Sequence, residues 1–409
     1  LISVKIQGDD GKEFVGRELP SALCINWNGP DAKWKDGESW KNIVIEEGNK
    51  SFIEFPNTAL YSPFTYLPQV LGISIGKILT NKVIIIAYMG RVLSWLAVGL
   101  IMYLTIKYIP MGKMLLTVVT LLPMNMQECI SLAADGFTYA ICTAFIAFVL
   151  YMRYGYNGKM KKKHFVILYV LLFFISTVKI VYMPLCLLAF LIPVQRFGDK
   201  RSYFKHAGLA ALLAITTCLV WFIISSNILV TFNPGADSDA HMQHIIKAPM
   251  EYIRILFGTV ISEFDFYLKM MVGAYLGWLN INQNALIVDL SIALIIIVLV
   301  KEKYSINSNV SIKPVRVISA IAVFSIILLM FTSLYIQWTP VSSSIITGVQ
   351  GRYFLPLIFP TALMIKSYCF EKEDRINGSD TNLLMSMSAL CIVVINICAF
   401  ISMSTFFVI

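Results

Sequence analysis

The sequence predicts an all-α polytopic membrane protein of about ten transmembrane helices, with a small extracytoplasmic α/β segment near its amino terminus. Three observations predict it. Of 409 residues, 57% are hydrophobic and only 14% charged, whereas about a quarter are charged in soluble domains. Mean hydropathy is +0.73. Apolar runs recur along the chain, and short basic loops separate them.

Residues 1–60 are polar and read as short strands. Val4 to Gln7 and Glu13 to Val15 flank Asp9-Asp10-Gly11, a hairpin turn signal, and Asn42 to Glu47 is a further strand candidate. Trp27, Trp34 and Trp40 suit packing of this segment or a lipid interface. Residues 62–80 are amphipathic and carry two prolines, Pro63 and Pro68, which predicts a short helix at the membrane surface. Spans follow at 83–106, 112–126, 137–152, 165–178, 180–194, 207–229, 285–300, 317–336, 353–369 and 383–407. Several are shorter than the roughly 20 residues of a straight crossing. Such helices must be broken, extended by polar turns or buried in the bundle. Between the span groups, 231–250 reads as a polar loop, and 251–280 as an aromatic, interfacial or re-entrant helix pair. The chain thus divides into an outer segment (1–82), a first span group (83–229), a second outer segment (230–284) and a last span group (285–409). No internal repeat or low-complexity tract is visible.

The basic residues set the orientation. Among the short loops, 107–113, 153–164, 195–206, 301–316 and 366–382 hold nearly all the lysines and arginines, whereas the alternate short loops (127–136, the break at 179 and 337–352) hold only Lys179 and Arg352. By the positive-inside rule the first set is cytoplasmic. The net charge of +9 is then topological and does not imply a nucleic-acid partner. Residues 1–82 fall outside, and a polar amino-terminal segment there needs an exporting span, so one further helix is expected ahead of Leu1. Of eight cysteines, Cys142, Cys186, Cys218, Cys369, Cys391 and Cys398 lie in apolar runs. Cys24 and Cys129 both fall outside, which leaves a disulfide between them open; there is no CxxC or zinc spacing.

Ionisable residues in or beside spans are costly and mark functional candidates. Arg91 sits about 13 Å into the first span at the helical rise. It reads either as a structural arginine or as an anion clamp. In 122–137 (LPMNMQECISLAADGF), Glu128 and Asp135 lie between spans with no basic neighbour. Ser131 and Asp135 would share a face on one helix. Asp135 reads as a helix cap or as a substrate-site acid. Lys179 interrupts FISTVKIVYMPL, either as a snorkelling lysine or as a cation for an anionic head group. ITGVQGRYF (346–354) is a glycine turn or a phosphate site built from Gln350, Arg352 and Tyr353. Asp237, Asp239, His241 and His244 form D-x-D-x-H-x-x-H, a weak divalent-metal signal. There is no G-x-S-x-G, Walker loop or Rossmann fingerprint.

The runs NTALYSPFTYLPQVLGISIGKIL (57–79), YMGR (88–91), LLPMNMQECISLAADGFTYA (121–140), KIVYMPLCLLAFLIP (179–193) and GVQGRYFLPL (348–357) resemble the bacterial membrane family called domain of unknown function 2142. The resemblance covers nearly the whole chain in order. It implies a relative of the C-type glycosyltransferase superfamily: polytopic enzymes that move a sugar from a polyprenyl-phosphate donor on the outer membrane face. It implies membrane lipid, a polyprenyl-linked sugar donor and a saccharide or glycolipid acceptor as partners. The cofactor is left open, with magnesium or manganese the candidates. The family's acidic element resembles P-D-E-x-x-H-F. Here Asp31 follows Pro30 but Ala32 breaks the match, so that element is expected upstream of Leu1. Asp135, Arg352 and Tyr353 carry over as family-motif positions. Together with the residues read above, the expected site has Asp135 and Glu128 as catalytic candidates, and Arg91, Lys179, Gln350, Arg352 and Tyr353 as phosphate or substrate contacts. A transporter or flippase of lipid-linked saccharide, or a scaffold of a polysaccharide assembly complex, is the alternative.

Overall fold

A computed structural model describes residues 3–7, 13–23, 41–46, 48–230, 233, 235–302, 311–365 and 378–408. The amino-terminal sheet joins β1 (Val4–Gln7), β2 (Glu13–Pro20) and β3 (Lys50–Glu54) in that order, antiparallel throughout. The expected hairpin is present, although its turn residues Asp9-Asp10-Gly11 lie outside the described residues, as do Cys24, Trp27, Pro30, Asp31, Trp34, Trp40 and Cys369. Asn42 to Glu47 does not join the ladder as expected. Its backbone is spent elsewhere: Ile45 N donates to Asn81 O and Val83 N to Ile43 O, tying it to the entrance of the first long helix.

A 3-10 turn (Pro63–Tyr66) leads into α1 (Leu67–Leu79), where the amphipathic helix was expected. Then come α2 (Val83–Tyr108), α3 (Lys113–Thr120), α4 (Pro123–Ile130), α5 (Asp135–Leu150) and α6 (Lys162–Val178). A 3-10 helix, Ile180–Leu191, follows, and then α7 (Lys200–Ser226). The stretch between α7 and the last helices holds α8 (Ser238–Lys247), α9 (Pro249–Ser262), α10 (Phe264–Val272) and a small hairpin, β4 (Tyr275–Leu276) with β5 (Ile281–Asn282). Residues 231–250 are therefore not all loop, because Asp237 accepts from Asp239 N and Ala240 N and so starts α8. The chain closes with α11 (Ala285–Lys301), α12 (Lys313–Gln337), α13 (Leu355–Ile365) and α14 (Gly378–Val408).

Among the described residues, five helices are long and apolar enough to cross a membrane: 83–108, 135–155, 200–226, 313–337 and 381–407. Ten spans are thus not established. α6 and α11, at 17 residues each, are continuous apolar helices, and local chemistry shapes three other expected runs. The run 112–126 splits into α3 and α4 at Leu121 and Leu122, because Pro123 has no amide to continue the first helix and instead starts the second. The run 180–194 is a 3-10 helix containing Pro184; its 12 residues reach about 24 Å at the larger 3-10 rise. The run 353–369 begins as a 3-10 turn, Gly351–Phe354. α5 is the central helix, buried along most of its length, whereas α7 is peripheral. Tyr139, Phe145, Leu172, Tyr182 and Phe331 pack in the single apolar core.

The basic loops gather at one end of this bundle. Arg153 donates to Leu191 O and Ser311 O, Met160 N to Arg196 O, Arg196 Nε to Met152 O and Arg316 Nε to Met364 O. The Glu302 carboxylate caps α3 there, accepting from Met114 N and Leu115 N. At the opposite end, Trp221 Nε1 donates to Leu60 O, and Gln127 bonds both backbone groups of Gly277. The alternation seen in the loop charges is thus also a spatial separation.

Candidate functional site

Four charged side chains meet at the end away from the basic loops. Glu128 sits in the last turn of α4, and a bend over 131–134 separates it from Asp135. Ser131 shapes that bend: its hydroxyl donates to Glu128 O and accepts from Ala133 N, both at 3.0 Å. Asp135 is the first residue of α5. Lys179 occupies the break between α6 and the 3-10 helix at 180–191, where the backbone is extended. Arg352 lies in the 3-10 turn before α13. That turn rests on α10 so closely that a Cβ on Gly351 would stand 2.4 Å from Met271 N and 2.5 Å from Tyr267 O. Only glycine fits this approach.

Arg352 bridges the two carboxylates. Its Nη1 donates to Glu128 Oε1 at 2.9 Å, and its Nε stands 3.5 Å from Asp135 Oδ2. Lys179 donates to Asp135 Oδ1. The Lys179 ammonium also lies 4.9 Å from the Tyr61 ring centre and 4.6 Å from that of Tyr353, within cation–π range. Tyr182 OH donates to Tyr353 O at 2.8 Å and so fixes the turn that carries Arg352. Two cations balance two carboxylates, so the group is neutral as a whole, which a low-dielectric bundle requires.

Exposure grades the four. Glu128 is 2% exposed, the Asp135 side chain 14% and the Arg352 side chain 27%. Arg352 and Asp135 are therefore the members nearest to solvent, with Glu128 behind them. Burial pushes the Glu128 carboxyl up, against the opposing pull of Arg352. One oxygen of Glu128 and the Nε of Arg352 have no hydrogen-bond partner among the described residues, nor does Gln350 Oε1 close by in sequence.

Of the residues singled out from sequence, Glu128, Asp135, Lys179, Arg352 and Tyr353 come together. Three local expectations are corrected. Asp135 does not cap α5: Ala134 is the N-cap, and the Asp135 carboxylate goes to Lys179 and Arg352 instead. Ser131 and Asp135 do not share a helix face, because α4 ends at Ile130 before the bend. Lys179 does not snorkel; it is buried and turned onto Asp135. The Arg91 guanidinium lies over Tyr88 of its own helix at 5.6 Å. In D-x-D-x-H-x-x-H, Asp237 starts α8, His241 Nε2 donates to Thr339 O, and His244 contacts Tyr335 and Glu251. Among the described residues no group of three or more His, Cys, Asp or Glu is placed to hold a metal ion.

Sequence reasoning missed Tyr61, Thr65, Gln69 and Tyr182. The first three recur every four residues across the 3-10 turn and the start of α1, a polar stripe in an otherwise apolar stretch. That spacing was the available signal. Tyr182 carries no such signal, because its role depends on the 3-10 winding.

No curated protein and no solved structure matches the chain. A family model, described as predicted membrane protein (DUF2142), matches residues 30–360. That match takes in Glu128, Asp135, Lys179 and Arg352 together with most of the helices, and the chain belongs to the DUF2142 family.

Proposed function

We propose that this protein is an outer-face membrane glycosyltransferase, or a close relative of one, which takes a sugar from a polyprenyl-phosphate carrier for cell-surface polysaccharide or glycoconjugate assembly. The observation that carries the reading is the buried group of two arginine and lysine cations on two carboxylates, at the end of the bundle remote from the basic loops. With the positive-inside rule, that end faces away from the cytoplasm. Isolated charges are rare in lipid, and a group of four calls for a function.

In the reaction an acceptor hydroxyl attacks the anomeric carbon. The carbon–oxygen bond to the carrier phosphate breaks, and the phosphate departs with the electron pair as an anion. Arg352, the more exposed cation, meets the growing phosphate charge as a planar donor fork, with Lys179 behind it. Asp135 and Glu128 hold both cations in place and orient sugar hydroxyls. The hydroxyl proton passes to a carboxylate, which the resemblance assigns to its P-D-E-x-x-H-F element. Arg91 falls outside this assignment.

A second reading has one observation in its favour. Lys179 stands at a break between α6 and the 180–191 3-10 helix, and discontinuous helices with charged breaks are typical of transporters. One experiment separates the two. The protein is reconstituted in liposomes with a labelled polyprenyl-phosphate sugar and a mixed saccharide acceptor. The enzyme reading expects label in the acceptor, lost in Arg352→Gln. Label that crosses the bilayer still joined to its carrier, with no transfer, overturns the enzyme and favours the transporter.

A further inference from the structure

The surface helix at 62–79 touches both halves of the charged group, and it does so with one stripe of side chains. Thr65, fully buried in the 3-10 turn, donates its hydroxyl to Val178 O at 3.1 Å, one residue before Lys179. Gln69, 2% exposed in the first turn of α1, donates Nε2 to Ala133 O at 3.1 Å, two residues before Asp135. Tyr61, four residues ahead of Thr65, lays its ring against the Lys179 ammonium at 4.9 Å. These three side chains reach the site from successive pieces of backbone: Tyr61 from the bend ahead of the 3-10 turn, Thr65 from that turn and Gln69 from the first turn of α1. The opposite face of α1 holds Val70, Leu71 and Ile78, which are apolar and exposed.

The stripe is itself anchored at each end. Trp221 on α7 donates to Leu60 O at 2.9 Å, just ahead of the stripe. Beyond it, α1 lies directly on α2: a Cβ on Gly72 would stand 2.2 Å from Met89 O. The helix therefore has little freedom to slide while its neighbours stay put.

We infer that Tyr61, Thr65 and Gln69 are positioning residues for the charged site: through Val178 O and Ala133 O they hold the Lys179 break and the 131–134 bend at the spacing that closes Lys179 on Asp135. Neither carbonyl belongs to a completed α-helical ladder on its following side. Val178 precedes an extended residue, and Ala133 lies in a bend. A side-chain donor from the surface helix is what fixes each of them. The pair opens when the surface helix lifts, so a ligand that enters from the bilayer past α1 frees the Lys179 ammonium for its own anion. This rests on the charged group and not on sugar transfer, and its test involves no transfer.

The test is amine acylation of the full chain in mild detergent, with the modification of Lys179 followed by mass spectrometry. Lys269, 43% exposed in its side chain, serves as internal reference. The double variant Thr65→Val, Gln69→Leu should raise the Lys179 rate by about tenfold or more, from loss of two backbone anchors. Lys269 should be unchanged. Thr65→Ser, which keeps the hydroxyl, should stay at the wild-type rate, whereas Thr65→Val alone should rise. Should the double variant fail to fold, Trp221→Phe removes only the tether at Leu60 and should raise the rate about threefold. Protection of Lys179 in a folded double variant overturns the inference. So does equal labelling of Thr65→Ser and Thr65→Val, or an unchanged Trp221→Phe where the double variant is unfolded.

Discussion

Removing Arg352 should cost more than removing its partner Glu128, and removing both should cost less than the sum. The native group carries two positive and two negative charges. Arg352→Gln leaves it at a net of minus one, with a carboxylate that is 2% exposed and has lost its 2.9 Å donor. Breaking a buried pair in this way costs about 3–5 kcal/mol. Glu128→Gln leaves the opposite excess, but Arg352 is 27% exposed and keeps Asp135 at 3.5 Å. Solvent and the second carboxylate relieve it, so that variant should lose only about 1–2 kcal/mol. The double variant restores neutrality and leaves the Lys179–Asp135 pair intact, at about 1–2 kcal/mol in total.

The assay is reversible unfolding in mixed micelles for wild type, both single variants and the double variant. A coupling of about 2 kcal/mol or more is expected, well beyond the ~0.5 kcal/mol scatter of independent sites. The pH dependence adds a sign. Burial already pushes the Glu128 carboxyl up, and losing Arg352 pushes it further. The carboxyl of the Arg352→Gln protein therefore takes a proton as pH falls, and the destabilisation should shrink toward acid pH. Strict additivity, or a Glu128→Gln cost equal to that of Arg352→Gln, would refute the assignment of Glu128 as the buried counter-charge.

Gly351→Ala should sharply lower the yield of folded protein, because its methyl group would meet Met271 N and Tyr267 O at 2.4 and 2.5 Å, both backbone atoms that cannot swing aside; size-exclusion profiles and melting temperature check this. Glu302→Ala should cost about 2 kcal/mol by removing a charged cap from two amides at the start of α3, measured by thermal melting, and Glu302→Gln should recover part of it. Glu251→Gln should change stability by less than about 0.5 kcal/mol, since its His244 contact involves a carboxylate side chain that is 65% exposed.

The sequence carried the membrane class and most of the charged site, for the same reason. A bilayer penalises charge and unpaired backbone so heavily that apolar runs and the charges breaking them stand out without tertiary information. Glu128, Asp135, Lys179 and Arg352 were conspicuous on that ground. Their pairing was not legible, since positions 128 and 352 meet through tertiary packing, such as the seating of Gly351 on α10 and the bond of Tyr182 to Tyr353 O. The span boundaries were least legible where proline acts. An apolar run reads the same whether it forms one α-helix, two helices split at Pro123 or a 3-10 helix through Pro184. The contacts of Tyr61, Thr65 and Gln69 were not legible, because reading 62–80 as an amphipathic surface helix does not say what its buried side packs on.

A neutral charged group cannot simply add an anion. If a phosphate engages Arg352, the guanidinium divides its donors between the phosphate and Glu128, and the carboxylate loses part of the one hydrogen-bond donor it has among the described residues. Glu128 is too deeply buried for water to compensate. Its carboxyl, already pushed up by burial, then takes a proton. Binding of the anion and uptake of that proton are therefore linked, and affinity should rise as pH falls, by up to about tenfold per pH unit for one proton. Inorganic pyrophosphate or a short-chain polyprenyl phosphate, titrated by calorimetry in two buffers of different ionisation enthalpy, reads the proton count directly. Glu128→Gln should bind with no proton uptake and with little pH dependence. Binding without proton exchange in the wild-type protein would mean that the anion never competes for Arg352, and the phosphate role would pass to some other part of the molecule.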